Sequence, residues 1–395
     1  MRALAAACVA AGIGGAGHAT PRVPANDDVI VESLPSVAGW TAEERRLRRE
    51  LALRPRDEAT AIAAAQDYLE IARSQGDARY AGYALGALQA WDAASPDTPP
   101  GVLVMRATVM QFLHDFAGAE AALKTALARQ PGNAQAWITL ATIARVRGRY
   151  LESDVACRAL GRVGAALYGV ACLAENAGLR GDHDGARTAL NALLADPAVQ
   201  GTAQAGTRQW LLTTLAEVEE LAGRASEAEA AYRQAIQAKP SGYVLLAYSD
   251  FLQRTGRPDR IAALLGHEAR SDAVLLRLAI AARSAAGNAE GASQQLPSAR
   301  TYSDELQARF ESAALRPGAT VPHAREEALF ALDVKGDARR ALELARLDVE
   351  LQREPIDLLL FARAAVAAND DEARRQVKRL MQQTGLKDAR VDAVL

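Results

Sequence analysis

Apolar residues recur along this chain at three- and four-residue spacing, and each helical stretch stops at a Gly followed by a polar residue. The marks stand at Gly76-Asp77, Gly148-Arg149, Gly181-Asp182, Gly223-Arg224, Gly256-Arg257, Gly287-Asn288 and Gly336-Asp337. The intervals 148→181, 223→256 and 336→369 are each 33 residues, the last landing on Asn369-Asp370, and a step of 33 back from Gly148 reaches Asp115. Within "AWITLATIARVRGRYLESDVACRAL", Trp137, Leu140, Ala141 and Ala144 share one face before the mark, and Tyr150, Val155 and Leu160 follow it. A left-handed cap at the Gly, or at Asn369, lets one helix stop and the next fold back. The predicted unit is a helical hairpin of 33–34 residues, with longer connections near 195–208 and 288–320.

These residues resemble the tetratricopeptide repeat (TPR) family. Trp137-x2-Leu140-Ala141 matches the family's first helix, helix A. Ala119-x3-Leu123-x2-Ala126-x4-Pro131 and Ala228-x3-Tyr232-x2-Ala235-x4-Pro240 match its second, helix B, and the closing Pro. The likeness is closest over 100–265, looser over 58–95 and 322–385, and weakest over 266–320. It implies an all-α, right-handed solenoid of about nine hairpins, in which small Ala residues sit where helices A and B meet and each hairpin packs mainly on its neighbours. The expected organisation is a signal peptide at 1–19, an extended leader at 20–40, TPR-like hairpins at 41–265 headed by a capping helix from about 42 to 53, irregular hairpins at 266–320, TPR-like hairpins again at 321–385, and a tail at 386–395.

The family binds polypeptide segments in a concave groove lined by helix A. Carried onto this sequence, that register places Gln111, Gln135, Arg145, Tyr168, Glu175, Trp210, Glu217, Glu220, Phe251 and Arg254 on the groove, with Trp210 and Phe251 as aromatic anchors. Glu175, Glu217 and Glu220 would attract a basic partner. Solvated helix faces, with Trp210 packed under the 195–208 connection, fit the same residues. The register also sets Cys157 and Cys172 on packed neighbouring helices, where a disulfide and two buried thiols are both compatible with the sequence.

Other chemistry is thinly represented. Asp182-His183-Asp184 occupies the turn after Gly181, where consecutive side chains diverge and Asp182 suits an N-cap better than a ligand set. His323 with Glu326 and Glu327 could bring an imidazole and a carboxylate together, so a metal- or small-ligand-binding protein using His323/Glu327 or His183 is the alternative function. Cofactor and metal are otherwise expected to be absent, and no nucleophile elbow, phosphate loop or zinc-hydrolase motif marks an enzyme. Lys+Arg 46 against Asp+Glu 48 leaves no broad cationic field for nucleic acid. The opening "MRALAAACVAAGIGGAGHAT" has the outline of a secretory signal cleaved after Ala19, which predicts a periplasmic or secreted protein. No later apolar run approaches about 18 residues, so no membrane insertion of the mature chain is expected.

Overall fold

The computed structural model describes residues 42–92, 94–287, 296–315 and 324–395; the expected signal peptide, the leader, His323 and the 288–295 connection lie outside them. The chain divides into a unit at 1–46 and a unit at 47–395, and the hairpins belong to the second. Helix α1 (Ala42–Leu53) crosses the division.

Nine helical hairpins follow among the described residues, and no strand. They are α2 (Glu58–Gln75) with α3 (Arg79–Ala87), α4 (Pro100–Phe112) with α5 (Phe116–Arg129), and α6 (Ala134–Val146) with α7 (Tyr150–Arg162). Next come α8 (Ala166–Leu179) with α9 (His183–Ala195), α10 (Ala205–Leu221) with α11 (Ala225–Ala238), and α12 (Gly242–Arg254) with the short α13 (Ile261–Leu265). The last three are α14 (Asp272–Gly287) with α15 (Leu296–Ala314), α16 (Ala324–Leu329), prolonged by a π-turn at Phe330–Lys335, with α17 (Ala338–Leu351), and α18 (Pro355–Ala367) with α19 (Asp371–Thr384). A terminal helix, α20 (Ala389–Val394), closes the chain. This is an all-α, TPR-like solenoid.

The turn marks behave as the spacing predicts. Gly76, Gly148, Gly181, Gly223, Gly256 and Gly336 all have positive φ, and Asn369 takes the same conformation at φ 52°. In the α4/α5 turn the left-handed residue is His114, at φ 61°, while Asp115 caps α5 by accepting from the Gly118 N–H. Ala107, Ala119, Ala126, Ala141, Ala216, Ala228 and Ala235 are fully buried, as close approach of paired helices requires.

The polar residue after the Gly has a role that periodicity does not reveal. Arg149, Arg224 and Arg257 reach back to an acid on helix B of the preceding hairpin: Arg149 to Glu120, Arg224 to Asp184 at 2.6 Å, and Arg257 to Glu229 at 2.8 Å. Each pair fixes the rotation of one hairpin on the next. Between α7 and α8 the tie is covalent, because Cys157 and Cys172 form a disulfide with Cα atoms 5.7 Å apart. The bridge spans 15 residues, and its reduction should lower stability by about 3 kcal/mol by the loop-entropy rule. A fall in melting temperature with a thiol reductant, absent from a Cys157→Ala/Cys172→Ala variant, would check this.

The C-terminal hairpins turn inward onto the solenoid. The Arg353 N–H donates to the Val146 carbonyl at 2.7 Å and the Lys387 N–H to the Leu179 carbonyl at 2.9 Å, both at helix A ends more than a hundred residues earlier. At Gly148, φ 70° and the approach of Thr384, whose Cγ2 would lie 2.6 Å from a Cβ at that position, together leave room only for glycine. Residues 386–395, expected to be a tail, instead carry α20 and bury Leu386 and Val391 in a core shared with Tyr150, Leu179 and Leu221. Their apolar residues find a partner surface far away in sequence.

Candidate functional site

Helices α6, α8, α10 and α12 place their inner faces side by side. Their spacing orders two rows: Gln135, Tyr168 and Tyr243 stand in the first turns of α6, α8 and α12 and Trp210 in the second turn of α10, while Glu175, Glu217 and Asp250 stand seven residues further along α8, α10 and α12. Seven residues is two helical turns, so the second row lies about 10 Å deeper than the first. Tyr168 and Trp210 pack ring to ring at 5.7 Å, and the Tyr243 hydroxyl donates to Glu217 Oε1 at 2.5 Å.

The deeper row lines a recess of about 280 Å³. One wall comes from the helices A, through Arg145, Glu175, Glu217, Glu220, Asp250 and Arg254. The other comes from the inward-turned C-terminal region, through Arg325, Glu326, Glu354 and Arg390, while Arg277 of α14 flanks Asp250. Tyr150 and Tyr232 add aromatic surface, and Tyr243, 64% exposed, reaches in from the surface to place its hydroxyl on Glu217.

Most of this charge is matched internally. Arg145 pairs with Glu175 at 2.9 Å, Arg254 with Glu220 at 2.6 Å, Arg277 with Asp250 at 2.6 Å, and Arg325 with both Glu354 and Asp357 at 2.6 Å. Arg390 bridges Asp388 at 2.7 Å and Glu220 at 3.4 Å, and the Tyr232 hydroxyl donates to Glu220 at 2.9 Å. Glu217 differs: its partner is the Tyr243 hydroxyl, and no cation stands at ion-pair distance among the described residues. Burial, with the like charges of Glu175, Glu220 and Glu354, pushes its carboxyl up to about 8, against the lowering effect of the Tyr243 hydrogen bond. Burial likewise raises Glu175, opposed by Arg145, and holds the Tyr150 phenol well above its ordinary value and therefore neutral.

Of the residues predicted for the groove, Arg145, Glu175, Glu217, Glu220 and Arg254 meet in this recess. Tyr168 and Trp210 sit two turns above it. Gln135 belongs to that upper row one hairpin earlier, exposed and bonded to Thr139, and Gln111 is half-buried in the last turn of α4, outside the recess. Phe251 requires a correction, since it is 2% exposed in the core beside Tyr232 and Tyr248. A step of 33 from Trp210 and Glu217 gives Tyr243 and Asp250, so Phe251 is one position, about 100° of rotation, off the inner face; its counterpart in α10 is the buried Val218. The recess walls supplied by Arg325, Glu354 and Arg390 carried no local signal in the sequence.

The histidine candidates lead elsewhere. Asp182 caps α9 through the Gly185 N–H at 3.0 Å, Asp184 is taken by Arg224, and His183 lies in the first turn with Nε2 buried and unbonded. Glu327 lies 3.6 Å from Arg340. Among the described residues no group of three or more His, Cys, Asp or Glu is placed to hold a metal ion, and no helix is long and apolar enough to cross a membrane.

No model of a known protein family matches the chain, and no curated protein does. Among solved structures it is similar to a tetratricopeptide repeat protein from Parabacteroides merdae, at 18% identity and a TM-score of 0.41, over 56% of this chain and 83% of that one. It is also similar to yeast Tom70, at 11% identity and 0.30 over 87% and 88%, and to a structure of Naa15/Naa10 bound to HypK-THB, at 15% and 0.27 over 85% and 65%. At these values the likenesses carry nothing about activity or partner, and the TPR-like fold stands on the hairpins themselves.

Proposed function

We propose that this chain is a non-catalytic interaction scaffold of the cell envelope, exported after loss of residues 1–19, which holds a basic polypeptide segment on the inner face of its solenoid. The observation that carries this reading is the vertical order of the site, with aromatic Tyr168, Trp210 and Tyr243 at the rim and carboxylates two turns below. Rigid aromatic surface supplies contact area at low entropic cost, and charge beneath it selects the partner. The paired Arg and Glu residues of the walls hold one another in place and act as structure, which leaves Glu217 and Glu326, the wall carboxylates without an ion pair among the described residues, to face the partner.

Affinity capture by the tagged mature chain from an envelope extract should retain a polypeptide that Trp210→Ala loses by about tenfold or more. Unchanged retention by Trp210→Ala, with helical circular dichroism intact, would move the binding surface off this rim.

A further inference from the structure

We infer that the recess beneath the aromatic rim is a binding site for one guanidinium-type organic cation, carried either by an arginine of the proposed partner or by a free small molecule. The inference deepens the scaffold reading by naming what enters, and it rests on that reading for the first of these two sources.

The chemistry of the lining selects the sign of charge. Every lining arginine already faces a carboxylate at 2.9 Å or less. Acceptor capacity remains over: Glu217 and Glu326 have no cation at ion-pair distance among the described residues, Glu175 Oε2 is a buried acceptor without a hydrogen-bond partner, and the Tyr150 hydroxyl, 2% exposed and likewise unbonded, can accept as well as donate. Against them stands one unbonded donor among the lining guanidiniums, Arg254 Nε. A buried acceptor left unpaired is costly, so a ligand rich in N–H donors gains from satisfying it. A cation would draw the raised Glu217 carboxyl back toward its charged form as it binds, whereas an anion would raise it further.

Size and shape narrow the class. A dry cavity of about 150 Å³ takes up benzene, so about 280 Å³ admits an alkylguanidine of about nine non-hydrogen atoms. The planar guanidinium offers five donors in a fixed fork and stacks on aromatic faces, whereas a simple ammonium is a compact, strongly hydrated point charge. Tyr150, Tyr232 and Tyr243 supply rings around the space. A divalent metal ion finds no ligand group of three here among the described residues.

Calorimetric titration of the full chain tests the assignment with two probes, agmatine and a five-residue peptide holding one central arginine, each compared with the analogue in which a neutral urea group replaces the guanidinium and every other charge is kept. One site per chain is expected, discriminating against the isostere. Glu217→Gln should weaken it by about tenfold or more, and Tyr150→Phe, which removes only a hydroxyl, by about threefold. Binding of agmatine without the peptide would support the recess and assign a free small cation, removing the partner segment from this face. Binding of the peptide, lost in Glu217→Gln, would support both the recess and the scaffold. Absence of heat from either probe at millimolar concentration, or equal affinity in the parent and both variants, would overturn the recess assignment; capture of a partner that depends on Trp210 would still stand.

Discussion

Arg325→Ala is expected to destabilise the C-terminal hairpins by about 3–5 kcal/mol, a larger loss than truncation of any rim residue should produce. Arg325 binds Asp357 through Nε and Glu354 through Nη2. Asp357 is fully buried and also accepts the Glu354 N–H at 2.7 Å in the capping box of α18. Removal of the guanidinium leaves the Asp357 carboxylate in the interior without its cation, at a cost well above the value of the lost contact. Hydrogen exchange should show α18, α19 and α20 losing protection first, with α4 to α7 little changed. Protection lost evenly along the chain, or a melting temperature equal to that of the parent, would contradict this. A paired Arg325→Met/Asp357→Leu change should recover much of the loss, since apolar replacements of matched volume remove the stranded charge.

Phe251→Ala should cost a comparable 3–5 kcal/mol, roughly, and leave partner capture intact. Its ring packs 5.7 Å from Tyr232 and 6.0 Å from Tyr248, with the Arg257 guanidinium over it at 5.5 Å. Truncation opens a cavity where α11 and α12 meet and removes support from the arginine that ties this hairpin to Glu229. Trp210→Ala is expected to show the opposite pattern, with a small change in melting temperature and a large loss of capture. Were Phe251 a groove anchor, its truncation would leave melting within the range of ordinary surface changes, about 0.5 kcal/mol.

The hairpins were legible because each is specified locally. A Gly or Asn that accepts positive φ, an Asp three residues before the N–H it caps, and an Ala at each close helix contact lie within one repeat of one another, so a period of 33–34 residues exposes them. Cys157 and Cys172 were legible as neighbours for the same reason. Legibility fell away where a residue's environment comes from far along the chain. Glu220 reads as a free groove acid, yet Arg390 and Tyr232 engage it. The turn at His114 carries no glycine mark, because a left-handed histidine leaves no compositional trace. Phe251 shows a third limit, since a register carried by analogy tolerates a one-residue error that rotates a side chain from groove to core.

The inward turn of the C-terminus alters how such a chain should fold. An open stack of repeats has low contact order; its hairpins form from local contacts, nucleate anywhere and fray from the ends. In this chain Val146 meets Arg353, Leu179 meets Lys387 and Glu220 meets Arg390, contacts that enclose most of the repeats in one long loop. Closing that loop adds an entropic barrier after the hairpins exist, and it ties the last helices to the middle of the stack. Refolding should therefore show a fast gain of helix followed by a slower docking phase, and the C-terminal end should resist fraying until the middle repeats open with it.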